Sequence, residues 1–364
     1  MKLFEKYLTS CVLIFNCVSL LTQLAQSQVT SRLQLVHADS LRYEKTQGQV
    51  AFHVRGKVRF EKGLKTVSCD DAWYFQNLDK VVLRGRVVLR DSSRILKADQ
   101  IIYYGEPERE LAEGHVWSRI DQIIFSSQHL VYFAEKYWAI TKGQVHFVDT
   151  TNQVQLFAGQ VEYNRLKKYA IAVQQPRLVK MDTTTHEEIV IRAKRLEYDG
   201  YRKLAFAHRQ VRITKQDVVC EAEKAEYRAR EEKIIIRGNP IVWKEGDQMS
   251  GQTIELYLKE MKLQQVHLIG KGVLLSRFKL GEQQMEDKLT GNDIWMYFDQ
   301  EKLTKIVVKN QATSLYHVVE KNELQGINQV MGDRIVLTFK NGRVNTAIID
   351  SSPGSSRGKF MPPD

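Results

Sequence analysis

Ala98-Asp99-Gln100-Ile101-Ile102-Tyr103-Tyr104-Gly105-Glu106-Pro107-Glu108-Arg109-Glu110-Leu111-Ala112-Glu113-Gly114-His115-Val116 reads as two strands joined by a turn. Ile101 and Tyr103 fall on one face of the first strand, because strand side chains alternate at period two. Gly105 to Glu108 supplies the turn chemistry, with Pro107 fixing φ. Leu111 opens the second strand, and Gly114 stands just before Val116. The stretch decides the fold because it recurs.

Tyr43, Tyr74, Tyr103, Tyr132, Tyr163, Tyr198, Tyr227 and Tyr257 occupy equivalent places, spaced by 31, 29, 29, 31, 35, 29 and 30 residues. Two residues before each Tyr stands Leu41, Ala72, Ile101, Leu130, Val161, Leu196 or Ala225, with Glu255 the one exception. Five before stands Ala38, Cys69, Ala98, Ser127, Ala158, Ala193 or Ala222, a small residue in seven of the eight units. Gly85, Gly114, Gly143 and Gly238 each follow their Tyr by eleven residues, with Val87, Val116, Val145 or Ile241 soon after. Several columns in phase define an internal repeat. Gly291 to Tyr297 and Gly332 to Leu337 echo Gly251 to Leu256, which brings the array to about ten units. The links lengthen after Arg277 and after Glu320, so residues 28–276 read as the main array and 277–350 as separate C-terminal units. Residues 351–364, rich in Ser, Gly and Pro, read as a disordered tail.

A repeat unit of two or more strands cannot cover its own apolar side, so units stack edge to edge and join those sides into one surface. The fold class is therefore all-β. The shared strip is expected to carry Leu41, Tyr43, Ile101, Tyr103, Leu130, Tyr132, Val161, Tyr163, Leu196 and Tyr198. Closed tightly, it is a dry core. Opened into a V, it is a groove for an amphipathic ligand, which a Tyr in every unit suits.

Residues 1–27 read as a cleaved signal peptide: Lys2 and Lys6, a mostly apolar run from Val12 to Leu24, then Ala25-Gln26-Ser27. The run is short for a bilayer span, which disfavours an uncleaved anchor. Lys2, Lys6 and Glu5 take only +1 of the formal +11 with them, leaving +10. An exported basic protein points to an anionic partner, and nucleic acid is a poor fit to that compartment. The two remaining cysteines, Cys69 and Cys220, lie five units apart. At roughly 4.8 Å per strand they stand beyond the about 7 Å a disulfide tolerates. Both read as buried filler beside the small-residue column.

Catalytic chemistry is sparse. Asp70 and Asp71 are adjacent, so a strand turns them to opposite faces. His186-Glu187-Glu188 lacks the second His of a zinc helix motif, and no Cys pair has metal spacing. The remaining histidines are scattered, and neither a Gly-rich phosphate loop nor a nucleophile elbow occurs. An enzyme is not expected, and no cofactor is implied.

Units of the form Ala-Asp-x-x-x-Tyr followed by Gly-x-Val resemble the OstA-like family, which includes LptA, LptC and the N-terminal domain of LptD. The motif stands as Ala38-Asp39 with Tyr43 and Ala98-Asp99 with Tyr103, and Gly238-Asn239-Pro240-Ile241 looks like the family's Gly-Asn-Pro-Val step. The likeness runs from about Leu33 to about Ile349, in a chain longer than is usual for LptA-like proteins. It implies an elongated antiparallel β-jellyroll, folded like a taco around an apolar groove. It also implies binding of lipopolysaccharide or a similar anionic lipid, and head-to-tail joining to other OstA-like modules in a periplasmic bridge that reaches an outer-membrane barrel. The competing classes are a structural β-solenoid with a closed core and a glycan-binding module. Against the latter, Trp73, Trp117, Trp138, Trp243 and Trp295 fall in different units.

Overall fold

The computed structural model describes residues 34–363, apart from 47–48, 63, 91–93, 105–106, 108, 121–122, 134, 151–152, 165, 182–186, 245, 260–261, 301, 321–322 and 341–342. The expected signal peptide, 1–27, lies outside the described residues. Twenty-six strands make up nearly all of the described residues, their described pairings are antiparallel, and only two short 3₁₀ turns interrupt them there. The all-β class holds.

The chain forms two compact units. Among the described residues the N-terminal unit comprises 34–181 together with 195–203, and the C-terminal unit comprises 187–194 and 204–363. The boundary expected after Ser276 falls inside a strand, Lys262–Leu280, where Ser276 pairs with Asp287 and Arg277 with Glu286. The residues that looked like longer links lengthen strands instead. Lys262–Leu280, Gln283–Asp299, Lys302–Glu320 and Glu323–Lys340 run for 19, 17, 19 and 18 residues.

Each long strand bends once, and the repeat motif is the bend. In β5 (Lys80–Arg90), Gly85 and Arg86 both take positive φ, 73° and 46°; in β7 (Arg109–Ile120), Gly114 and His115 take 73° and 44°. Two left-handed residues in a row make a bulge that re-aims the strand, and glycine takes the first at least cost. The register slips at each bend, between Arg84 and Val87 and between Glu113 and Val116. The Asp of Ala-Asp lies over the glycine of the next strand: a Cβ on Gly114 would sit 2.2 Å from Asp99 Oδ2, and one on Gly85 would sit 2.6 Å from Asp70 Oδ2. Arg86 grips Asp70 with two hydrogen bonds, 3.0 and 2.6 Å, and these hold its carboxyl below the usual carboxylate range. His115 Nδ1 stands 2.8 Å from Asp99 Oδ2. These pairs are exposed, so they shape the bend more than they stabilise it. The valine after each step, Val58, Val87, Val116 or Val145, is 1% exposed. Each such burial contributes about 1.5–3 kcal/mol.

The bend folds the sheet over one core per unit. In the N-terminal unit, β8 (Ile123–Phe133) sends Ile123 and Phe125 from one arm and Leu130 and Tyr132 from the other into the same cluster. In the C-terminal unit, β22 (Gln283–Asp299) does likewise with Leu289 on one side of its bend and Ile294 and Met296 on the other.

The tail is not disordered throughout. Residues 357–361 form β26 (Arg357–Met361), which pairs with Ile327–Met331 of β24 (Glu323–Lys340). A polar segment can pair through its backbone alone when a neighbouring strand offers open N–H and C=O groups. Asp333 caps the turn before it, accepting from the Ser352 N–H at 2.8 Å and the Ser352 hydroxyl at 3.0 Å.

Candidate functional site

Register brings the expected strip together. In the N-terminal unit Leu41, Val54, Ala72, Leu83, Ile101, Ala112, Leu130, Thr141, Val161, Ala172 and Leu196 stand directly opposite one another, strand after strand. Beside this row runs Tyr43, Phe52, Tyr74, Val81, Tyr103, Glu110, Tyr132, Ala139, Tyr163, Ala170 and Tyr198. All ten residues expected in the strip lie in these two rows.

Burial divides them. Ile101, Leu130, Tyr132, Val161, Tyr163 and Tyr198 are at most 7% exposed, and Tyr103 and Leu196 are half-buried. From Tyr132 onward tyrosine alternates with Ala139 and Ala170, so the Tyr163 ring has a small residue on either side and the Tyr132 and Tyr198 rings one each. Leu41 and Tyr43 differ from their place in an interior strip: they are 59% and 66% exposed. They sit on β2 (Ser40–Thr46), whose one described partner strand is β3 (Gln49–Lys62), so no further strand covers them.

The C-terminal unit continues the pattern with different side chains. Its rows run Ala225, Ile236, Ile254, Leu268, Ile294, Val308 and Ile335, and beside them Tyr227, Ile234, Leu256, Val266, Met296, Ile306 and Leu337. Tyr257 therefore does not belong to the tyrosine column; Leu256 takes that place. Tyr257 faces the other way, donating to Glu255 Oε2 at 2.6 Å beneath the Lys233 ammonium, 4.7 Å from its ring. The cause is parity: the first six tyrosine spacings are odd and the last, 30, is even, and a one-residue slip flips the face. This also explains Glu255, the one exception in the apolar column.

Where these aliphatic rows end, the two arms of the C-terminal unit stand apart around a cavity of about 970 Å³. One wall carries Val242, Met249, Leu274 and Leu289, placed in one row by register; the other carries Met296, Ile306, Leu337, Leu303, Phe339 and Val344. The rim is polar. Lys244, Asp247, Ser276, Asp287 and Tyr316 edge the first wall, and Lys302 and Lys340 the second. Asp247 accepts from the Ser276 hydroxyl at 2.8 Å, and Asp287 holds His317 through both its backbone N–H and Nδ1, each at 2.9 Å. Asp247 and Asp287 are thus engaged within the protein, while Lys244, Lys302 and Lys340, with Asp299, are exposed at the rim. Sequence reasoning missed this cavity. Its signal was the replacement of tyrosine by aliphatic residues after Tyr227.

The chemistry elsewhere is structural. Among the described residues no group of three His, Cys, Asp or Glu side chains is placed to hold a metal ion. Asp70 turns to Arg86, and Asp71 to His53 and Arg55. Cys69 and Cys220 are both free and buried, and burial pushes their thiols up to about 11 and about 12. Glu226 sits in the cost of burial, yet hydrogen bonds from Arg228 and Arg237 hold its carboxyl below the usual range.

Each unit is thus an antiparallel sheet folded over an apolar interior of its own. Residues 125–262 match the family described as LptA/(LptD N-terminal domain) LPS transport protein, so the kinship expected from the repeats is found over that stretch. Among solved structures the chain is similar to LptH, the LptA-homologous periplasmic component of the conserved lipopolysaccharide transport device from Pseudomonas aeruginosa. That similarity has 18% identity and a TM-score of 0.30, covering 41% of this chain and 96% of that one. No curated protein matches. Among the described residues no helix is long and apolar enough to cross a membrane.

Proposed function

We propose that the chain works in lipopolysaccharide transport as an exported, periplasmic carrier. It holds the acyl chains of lipopolysaccharide or a related anionic lipid inside its folded sheet, as one link of a bridge to the outer membrane. The observation that carries this reading is the open apolar cavity of the C-terminal unit, rimmed by Lys244, Lys302 and Lys340. The family match over residues 125–262 supports it. Apolar walls suit acyl carbons, each worth about 0.8 kcal/mol when buried, so a dozen offer roughly 10 kcal/mol before the entropy of binding is subtracted. The lysines suit phosphate or carboxylate at the water boundary.

In the N-terminal unit the strip through Ile101, Tyr103, Leu130 and Tyr132 acts as core, and acyl contact is confined to its uncovered end at Leu41 and Tyr43. The packed tyrosines favour the closed-core reading for that unit alone. Other OstA-like modules join head-to-tail at the terminal strands, where backbone groups are open to strand addition. The test is native mass spectrometry of the protein purified from an envelope fraction. Co-purified lipid A-type species, lost in Leu303→Asp, are expected. A lipid-free protein that also fails to take up lipopolysaccharide in vitro overturns the reading.

A further inference from the structure

One edge of the N-terminal unit has a composition that neither its core nor its bends require. Register places Lys80, Tyr104, Arg109, Phe133 and Trp138 in a single row on the face opposite the tyrosine strip, at the strand ends. Cations and rings alternate there: Lys80 Nζ lies 5.2 Å and the Arg109 guanidinium 4.5 Å from the Tyr104 ring centre. The hairpin turns just beyond this row expose large apolar side chains, Leu78 at 46%, Leu166 at 58% and Tyr201 at 56%. Two of these turns are tied together, since the Tyr201 hydroxyl donates to the Leu166 carbonyl at 2.8 Å and Lys168 Nζ lies 5.1 Å from the Tyr201 ring. Lys167, Lys168, Arg202 and Lys203 stand in the Leu166 and Tyr201 turns, beside an Asp199 that is engaged with Arg202; Asp79 follows Leu78, and Glu135 and Lys136 share the turn between.

We propose that this edge docks on an anionic phospholipid surface. Leu166 and Tyr201 form a pair of apolar tips on neighbouring hairpins, two strand spacings or roughly 10 Å apart, and Leu78 stands on a hairpin farther along the same edge. Projecting tips offer no concavity for a folded partner, but the tied Leu166 and Tyr201 turns can enter a fluid headgroup layer together. The cations beside them meet lipid phosphate, and the ring-and-cation row behind sits at headgroup depth, where aromatic rings and long basic stems are both favoured. The surface belongs to the N-terminal unit and the cavity to the C-terminal unit, and the proposal does not depend on the transport reading.

The experiment is co-sedimentation of the full chain with vesicles of phosphatidylglycerol and phosphatidylcholine, against pure phosphatidylcholine. Binding to the anionic vesicles that weakens with salt is expected. Lys167→Glu with Lys168→Glu lowers it by at least about tenfold, and Leu166→Ser with Tyr201→Ser lowers it while leaving the salt dependence. Circular dichroism and the thermal midpoint report folding. If either pair fails to fold, Lys136→Glu with Arg202→Glu replaces it, and the same loss is required. Leu303→Asp, in the cavity, binds vesicles as the parent does. The proposal is overturned if the parent ignores anionic vesicles at low salt, if the folded variants bind as well as the parent, or if soluble glycerol phosphate competes fully, which marks a headgroup pocket only.

Discussion

The two units bend their strands by one device and fill the bend differently. In the N-terminal unit Tyr132, Tyr163 and Tyr198 alternate across strands with Ala139 and Ala170, and the rings close the interior. In the C-terminal unit the same row reads Leu256, Val266, Met296, Ile306 and Leu337, and beyond it the arms part around the cavity. Rigid rings next to small residues make a filled wall. Flexible Met and Leu side chains make an adaptable one. The comparison teaches that a shared repeat fixes the path of the backbone, while a single column of side chains decides whether the inside is core or container.

The sharpest way to break that comparison is to place a carboxylate in each interior. Leu130 is 7% exposed amid Ala112 and Thr141, so Leu130→Asp leaves an unpaired charge in the core. The expected loss is about 3–5 kcal/mol, enough to unfold the N-terminal unit. Leu303 lines the cavity wall and is half-buried. Leu303→Asp is expected to cost at most about 2 kcal/mol, because the charge keeps water, yet to abolish lipid uptake. Thermal unfolding and lipid binding measured on both variants decide it. Equal stability losses would erase the distinction between the units.

The bends themselves are next. Gly114 has φ +73°, and an added Cβ meets Asp99 Oδ2 at 2.2 Å; Gly281, at a turn of the C-terminal unit, has φ +62° with nothing within 4 Å. Gly114→Ala is therefore expected to cost about 1–3 kcal/mol, from backbone strain plus the displaced carboxylate. Gly281→Ala carries the strain alone, about 1 kcal/mol. Urea titration of the two variants measures the gap. A Gly281 variant as unstable as the Gly114 one would show that the Asp contact contributes nothing.

How much of this was legible follows from which features are periodic. The columns of Ala-Asp, Tyr and Gly-x-Val recur because the bends of the N-terminal unit bring together a small residue, a carboxylate or amide side chain over a glycine, and a buried valine. Those needs are local, so the sequence carries them openly. The ten strip residues were found because alternation and odd spacings keep one face. Tyr257 was misplaced because one even spacing was not weighed against that parity. The cavity was hidden because it arises from how far two arms stand apart, a tertiary quantity that no column encodes. The tail strand was hidden because it is held through backbone groups, which have no side-chain signature.

The smallest effect probes the N-terminal interior from within. Thr141 is fully buried between Leu130 and Val161, and its hydroxyl has no hydrogen-bond partner among the described residues. At the corresponding rank of the C-terminal row stands Leu268, equally buried, between Ile254 and Ile294. In a dry core a lone hydroxyl carries its full desolvation cost, so Thr141→Val, nearly the same in shape, is expected to stabilise by about 1 kcal/mol. In a wet groove the hydroxyl is hydrated in the ligand-free protein, and the same change is neutral for folding. The measurement is the urea midpoint of ligand-free protein at constant m-value. A rise confirms that the tyrosine-lined interior is packed dry. No change, together with tighter lipid binding by the valine variant, would make the N-terminal interior a groove like its neighbour's.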